Sequence, residues 1–253
     1  VVTTLHPKDK ERYKNFLNYN KKYLLESETF YYVSNREFDI DASYINENIY
    51  PFSKDDVREY IKDYISNDRI GWYYQQLLKL YIFRAKITEK DFVLIFDADI
   101  LLLNNCMLFE NKKPILFKRN TGNKKCHNPY IHCIKYILPN VLLDENDSGI
   151  CHFLLFEKQT VENLLQEIEQ THKKPAWKSI LDSVQNYILN NAYNNSIFSE
   201  YELYYNYVKN KNMYIYKDNF NYIDKAFNKF DFNSNKNYDM IADHNYLSNP
   251  AEN

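Results

Sequence analysis

Phe92-Val93-Leu94-Ile95-Phe96-Asp97-Ala98-Asp99-Ile100-Leu101-Leu102-Leu103 is the stretch on which the reading of this chain turns. An apolar run of strand length, rich in β-branched and aromatic side chains, is the pattern of a central strand covered on both faces. Two acids interrupt it. A buried carboxylate is costly unless it is paired or bound to a cation, and ligands of open α/β sheets bind at the carboxyl ends of strands. Alternation along a single strand puts Asp97 and Asp99 on one side with the small Ala98 between them. That is half a site for a hard divalent cation, whose shell is completed by water and substrate phosphates. The competing reading is a strand that simply ends, with both acids in water.

Upstream, Val1 to Leu5 reads as a first strand ending at His6-Pro7. Lys8 to Leu25 sets Tyr13, Phe16, Leu17 and Leu24 at helical spacing, and Thr29 to Val33 reads as a second strand ending at Ser34-Asn35-Arg36. Strand, helix, strand predicts the start of a parallel sheet with helical crossovers. Ser53 with Asp56 opens a capped amphipathic helix through Val57, Tyr60, Ile61, Tyr64 and Ile65. Arg69 to Leu80 is the helix directly before the central stretch, with Gly71 near its start. Its spacing sets Trp72, Gln75, Gln76 and Lys79 on one side, either a polar face for a ligand or an exposed face with a half-buried tryptophan.

Downstream, Pro114 to Lys118 predicts another strand. Cys126-His127 and His132-Cys133 offer two cysteines and two histidines within eight positions, but adjacent Cys-His pairs lack the spacing of structural zinc sites, so a helix start is the better reading. Asp144-Glu145-Asn146-Asp147-Ser148-Gly149 leads into the apolar strand Ile150 to Phe156. This second acidic junction either faces the same crevice as the first or is only a turn. His152, inside that strand, reads as a satisfied core histidine or as a residue on the acceptor side of a crevice. Helices follow from Thr160 and from Ala176, and Phe198-Ser199-Glu200-Tyr201-Glu202-Leu203 opens a further one. There Ser199 and Glu202 have capping-box spacing, which leaves Glu200 without a structural role. Met213 to Tyr216 is a possible strand, and His244 closes the chain's apolar end segment as a candidate nitrogen ligand.

Bulk properties narrow the classes. A chain of 253 residues with 45% hydrophobic content builds a full core. Its net charge of −2 gives no electrostatic case for nucleic acid. Only three glycines are present, Gly71, Gly122 and Gly149, so neither common glycine-rich phosphate loop is possible and a nucleotide phosphate needs another holder, such as a metal. Cys106, Cys126, Cys133 and Cys151 contain no C-x-x-C pair, and no apolar stretch is long enough to cross a membrane. The expectation is a reduced, cytoplasmic protein, in the host cytoplasm if its source is viral.

Together, the β-α-β opening, the R-x-G-W-Y-x-Q-Q-x-x-K-L helix at Arg69 to Leu80, the Asp97-Ala98-Asp99 strand, the F-S-E-Y-E element at Phe198 to Glu202 and the late His244 resemble a GT-A-type nucleotide-sugar glycosyltransferase. They are similar in particular to a bacterial and viral family of such transferases. The resemblance implies one GT-A-like, Rossmann-like α/β domain over 1–253, with a mixed, mainly parallel central sheet flanked by helices. Its halves would be 1–103 for the nucleotide and 104–253 for the acceptor. It implies Mn²⁺ or Mg²⁺ bridging Asp97, Asp99 and His244 to the diphosphate of a UDP- or GDP-sugar. Thr3, Thr4, Leu5, Arg36, Trp72, Gln75, Gln76, Lys79, Asp97, Ala98 and Asp99 would meet the donor. The acceptor would be a glycan, a lipid-linked sugar or a protein hydroxyl. An inverting enzyme also needs a carboxylate to deprotonate that hydroxyl, and Glu200, then Asp147, are the candidates.

Two rivals use the same residues. A strand running into Asp-x-Asp also resembles the nucleophile motif of haloacid-dehalogenase phosphatases, the first Asp attacking and the second acting as general acid. Those enzymes place the motif on their first strand and add a later Gly-Asp-rich loop, whereas here it follows a β-α-β unit in a chain nearly free of glycine. A non-catalytic carbohydrate-binding protein would use Trp72, Trp177 and the tyrosines for stacking but has no need of the acid pair.

Overall fold

Val2–Thr4 (β1), buried along its length, is the axis of the main sheet. The structure is a computed structural model and describes residues 1–120, 128–144, 146–191, 196–209, 213–217, 222–224 and 237–244. After β1, a short 3-10 turn at Pro7–Asp9 leads into Lys10–Tyr23 (α1), and the chain returns as Tyr31–Ser34 (β2), parallel to β1. The expected β-α-β opening is therefore present, with the helix two residues shorter at each end than its apolar spacing suggests. Ser43–Asn46 (β3), which carries no strong strand pattern, extends the sheet in parallel beyond β2. Lys54–Ile61 (α2) begins with the expected capping box: Ser53 Oγ accepts from the Asp56 amide at 3.1 Å, and Asp56 Oδ2 accepts from the Ser53 amide at 2.8 Å. Asn67–Leu80 (α3) then carries the chain to Phe92–Phe96 (β4), parallel to β1 on its other side.

The apolar run breaks where the acids stand. β4 ends at Phe96, and Ile100–Leu102 (β5) belongs to a different sheet, so Asp97 and Asp99 lie on a crossing between two strands and not on one face of a single strand. The sequence conceals this because both strands are buried; an apolar pattern reports burial and not continuity. The crossing is fixed at both ends by backbone hydrogen bonds, Asp97 N–H to the His152 carbonyl at 3.0 Å and Asp243 N–H to the Asp99 carbonyl at 2.8 Å.

Beyond β5 come Phe109–Glu110 (β6), Lys113–Phe117 (β7), Arg119–Asn120 (β8), Asn128–Ile137 (α4), Asp147–Ser148 (β9) and Phe153–Glu157 (β10). β10 pairs antiparallel with β4 and completes a five-stranded, mainly parallel sheet of order β10-β4-β1-β2-β3. Lys158–His172 (α5), Ala176–Asn191 (α6) and Glu200–Val208 (α7) follow, then Ile215–Lys217 (β11), Tyr222–Asp224 (β12) and Met240–Ala242 (β13). β13 pairs antiparallel with β5 and parallel with β12, while β7 lies between β6 and β11. Central burial is as expected of β4: Val93 and Ile95 pack into a core with α2, α3, α5, α6 and α7, and Leu94 and Phe96 into a second core with β5, β7 and β13. The fold is thus α/β with helices covering the sheet. Among the described residues no helix is long and apolar enough to cross a membrane.

Candidate functional site

The carboxyl ends of β1, β2 and β4 all open on one side of the sheet, where chain reversal leaves a crevice. Two adjoining cavities occupy it, of about 540 and 320 Å³, sharing Lys8, Asp9, Trp72 and Gln75 on their walls. The larger lies over Thr4 and Leu5 of the first strand end and Val33 and Ser34 of the second, with Gly71, Tyr74 and Gln75 of α3 as its side and Glu47, Lys54 and Arg69 at its edge. The smaller is lined by Gln76, Lys79, Asp97, Ala98, Asp99, Tyr130, His152, Tyr201 and His244. Helix α3 therefore spans both, because residues three and four apart share one helix side.

Beneath the smaller cavity is a buried ion cluster. Lys79 Nζ lies 2.6 Å from Asp97 Oδ1 and 2.8 Å from Glu200 Oε1, and Glu200 is 0% exposed. Burial opposes the charge on Lys79, but Asp97 and Glu200 together outweigh it and hold the ammonium group above the ordinary lysine range. Burial likewise opposes the charge on Asp97, yet Lys79 and His152 keep its carboxyl well below the usual carboxylate range. Glu200 moves the other way: burial raises it, Lys79 pulls against that, and the Asp97 charge adds to the rise. Tyr201 completes the arrangement. Its hydroxyl donates to Asp97 Oδ1 at 2.9 Å and to the His152 carbonyl at 3.3 Å, and Lys79 Nζ sits 4.6 Å from its ring centre. Burial and then the Asp97 charge push the phenol far above the ordinary tyrosine value, so it stays a donor.

At the cavity surface, Asp99 Oδ2 is 2.8 Å from His244 Nδ1. The His152 ring lies 5.1 Å from that of His244, with its Nδ1 3.5 Å from Asp97 Oδ2. His152 has φ of 65°, a left-handed conformation rare for a side-chain-bearing residue and concentrated at functional sites. It precedes β10 and does not stand within it. Among the described residues no group of three or more His, Cys, Asp or Glu side chains converges as a metal cluster. Of the expected Asp97, Asp99 and His244 set, the last two are brought together, while Asp97 is engaged by Lys79 and Tyr201.

The other expected residues divide clearly. Thr4, Leu5, Trp72, Gln75, Gln76, Lys79, Asp97, Ala98, Asp99, His152 and His244 line one cavity or both. Thr3 is buried within β1, and Arg36 is exposed beyond the end of β2, its guanidinium 5.4 Å from the Phe38 ring centre. Glu200 lies under Lys79 and off the cavity wall. Asp147 is held at 2.7 Å by Lys118 on the β8-β9 pair, away from both cavities. Glu202 is not the acidic half of a capping box. Ser199 Oγ caps its amide, but the Glu202 carboxylate reaches across to accept from Ser148 Oγ at 2.5 Å and the Gly149 amide at 3.1 Å. Cys126 and His127 lie outside the described residues, and of their partners Cys133 is buried in α4 while His132 is exposed.

Lys8, Asp9 and Tyr201 are site residues that the sequence pattern does not single out. The first two follow the carboxyl end of β1, so the rule that ligands gather there was signal enough. Tyr201 had none to offer in a chain with 25 tyrosines.

The chain belongs to a family described as DUF6492, a family of unknown function, whose model matches residues 34–249. No curated protein matches the sequence. Among solved structures it is similar to mouse xyloside xylosyltransferase 1 in its apo form, at 8% identity and a TM-score of 0.47 over 97% of each chain. It is similar also to the galactosyltransferase LgtC in complex with donor and acceptor sugar analogs, at 12% identity and a TM-score of 0.43 over 98% of this chain and 90% of that one. A glycosyltransferase involved in glycosylation of the major capsid of PBCV-1 is similar at 13% identity and a TM-score of 0.37, over 95% of this chain and 90% of that one.

Proposed function

We propose that this chain transfers a sugar from a nucleoside-diphosphate donor to a hydroxyl acceptor, with a divalent cation held at Asp99 and His244. The observation that carries the reading is the pairing of Asp99 Oδ2 with His244 Nδ1 at 2.8 Å, on the wall of the smaller of two cavities that share four residues. Two donor atoms each ~2.1 Å from one ion and at right angles to each other stand ~3 Å apart, so the pair fits a small hard cation whose remaining positions go to water and phosphate. A carboxylate oxygen with water and phosphate suits Mn²⁺ or Mg²⁺, and the imidazole nitrogen favours the transition metal Mn²⁺ of the two. When bound, the cation supplies positive charge opposite the departing diphosphate.

This chain's own residues do the rest. The larger cavity takes the nucleoside against the ends of β1 and β2. Lys8, on the wall shared by both cavities, adds positive charge toward the diphosphate. Lys79 and His152 keep Asp97 ionised, Lys79 and Tyr201 fix its Oδ1, and Oδ2, beside His152 Nδ1, accepts from donor hydroxyls at the cavity wall. Glu200 acts through Lys79 and does not meet the acceptor. His152, at the far side of the acid pair, faces the acceptor, a glycan or other hydroxyl-bearing molecule.

Thermal unfolding against UDP-, GDP- and dTDP-sugars, each with and without Mn²⁺, tests the reading, since a ligand that binds the folded state raises its midpoint. A metal-dependent rise with one nucleotide, absent in Asp99→Ala, is the expected result. A folded protein that shifts with none of them overturns the donor site.

A further inference from the structure

Gly71 stands in the second turn of α3 and faces the larger cavity. Glycine in a helix interior is destabilising relative to alanine, so its presence needs a reason. Packing gives none. A Cβ built on Gly71 would have Lys54 Nζ at 3.6 Å and Lys54 Cε at 3.8 Å as its nearest neighbours outside its own helix, both ordinary van der Waals contacts with the far end of a flexible side chain. Gly149 shows what an internal reason looks like: a Cβ there would lie 2.3 Å from Tyr205 Cβ and 2.7 Å from the Tyr201 carbonyl oxygen. The fold demands one glycine and merely tolerates the other.

Gly71 shares the cavity wall with Thr4 and Ser34 at the strand ends and with the half-buried Trp72 next to it, and the space it leaves is bordered by the flexible end of the Lys54 side chain. We infer that the bare backbone at Gly71 is a seat for the flat face of the donor's nucleobase, which can approach the helix closely only where no Cβ stands. Gly71 is thereby a specificity-determining residue for the nucleoside end of the donor. This rests on the donor-site reading above and adds to it the residue that seats the base within the larger cavity.

The test uses Gly71→Ala in the full chain, with three readouts. The variant should unfold at a midpoint higher by about 2–4 °C, the shift expected of an ordinary glycine-to-alanine gain in a domain of this size. Its affinity for UDP and GDP with Mn²⁺, measured by titration calorimetry, should fall at least tenfold for whichever nucleotide the parent binds. Its affinity for Mn²⁺ with inorganic pyrophosphate, which has no base, should be unchanged. Unchanged nucleotide affinity overturns the inference, as does a lowered unfolding midpoint, which would show that the fold itself needs the glycine. An equal loss for pyrophosphate overturns it too, because Gly71 would then serve the phosphates. If the parent binds pyrophosphate with Mn²⁺ but no nucleotide, the inference fails while the cation site stands; if it binds neither, the donor-site reading fails first.

Discussion

Lys79 Nζ and Asp97 Oδ1 are 2.6 Å apart, one from the helix before β4 and one from the residue after it. The ion pair closes a loop of chain that begins and ends at the candidate site, and Glu200 shares the same ammonium group.

Removing that ammonium strands two buried carboxyls. Lys79→Met should lower stability by about 3–5 kcal/mol, the cost of breaking a buried pair from one side, read from urea midpoints at constant slope. Adding Glu200→Gln should restore part of the loss, because the second acid then no longer needs a partner. A Lys79→Met loss below about 1 kcal/mol would show that the cluster does not hold the strand end.

Glu202 gives stability a pH dependence. Burial, against its hydrogen bonds from Ser148, Gly149 and Asn206, raises its pKa from an ordinary 4.5 to about 7. The folded state then holds a proton that the unfolded state has released, so this contribution is full below about pH 4.5, falls as pH rises, and is spent above about pH 7. The change is roughly 3 kcal/mol across that window, because each pH unit between the two pKa values is worth about 1.4 kcal/mol. Glu202→Gln should flatten the stability profile between about pH 5 and 7.5, and a variant profile parallel to the parent's would refute the assignment.

Gly149 admits no side chain. Gly149→Ala should cost about 1–3 kcal/mol by overpacking, because α7 approaches to within the space a Cβ needs. Since α7 also carries Tyr201, metal-dependent nucleotide binding should weaken in the same variant, measured under conditions where it remains folded.

His152 separates backbone from imidazole. Asn adopts the left-handed conformation readily and a β-branched residue does not. His152→Val should therefore be less stable than His152→Asn by about 1–2 kcal/mol, while both lose transfer activity if the ring serves the acceptor. Equal stability of the two would mean that φ at this position relaxes freely.

The sheet's opening, the covered central strand and the α2 capping box were legible because each depends on local spacing. Legible too was most of the crevice wall, since strand ends and helix sides follow from periodicities of two and of three and four. The break between Phe96 and Ile100 was not, because two buried strands in different sheets produce the same apolar run as one. The partners of Glu200 and Glu202 were hidden for a related reason, and Glu202 was given a capping-box role that it does not have. A helix start announces its cap, but which distant side chain a carboxylate meets is decided by tertiary packing, which places Lys79 over one and Ser148 against the other.

Three consecutive residues of α7 point to three different parts of the molecule: Glu200 to helix α3, Tyr201 to the acid crossing and Glu202 to the turn before β10. Successive side chains on a helix project about 100° apart, so one rigid rod acts as a three-way joint. Any sliding or rotation of α7 disturbs all three at once and cannot be absorbed by one of them alone. The consequence is mechanical: the α3 wall of the crevice, the acid crossing and the turn before β10 must assemble together or not at all, and an opening of α7 in native-state hydrogen exchange should abolish the whole crevice in a single step.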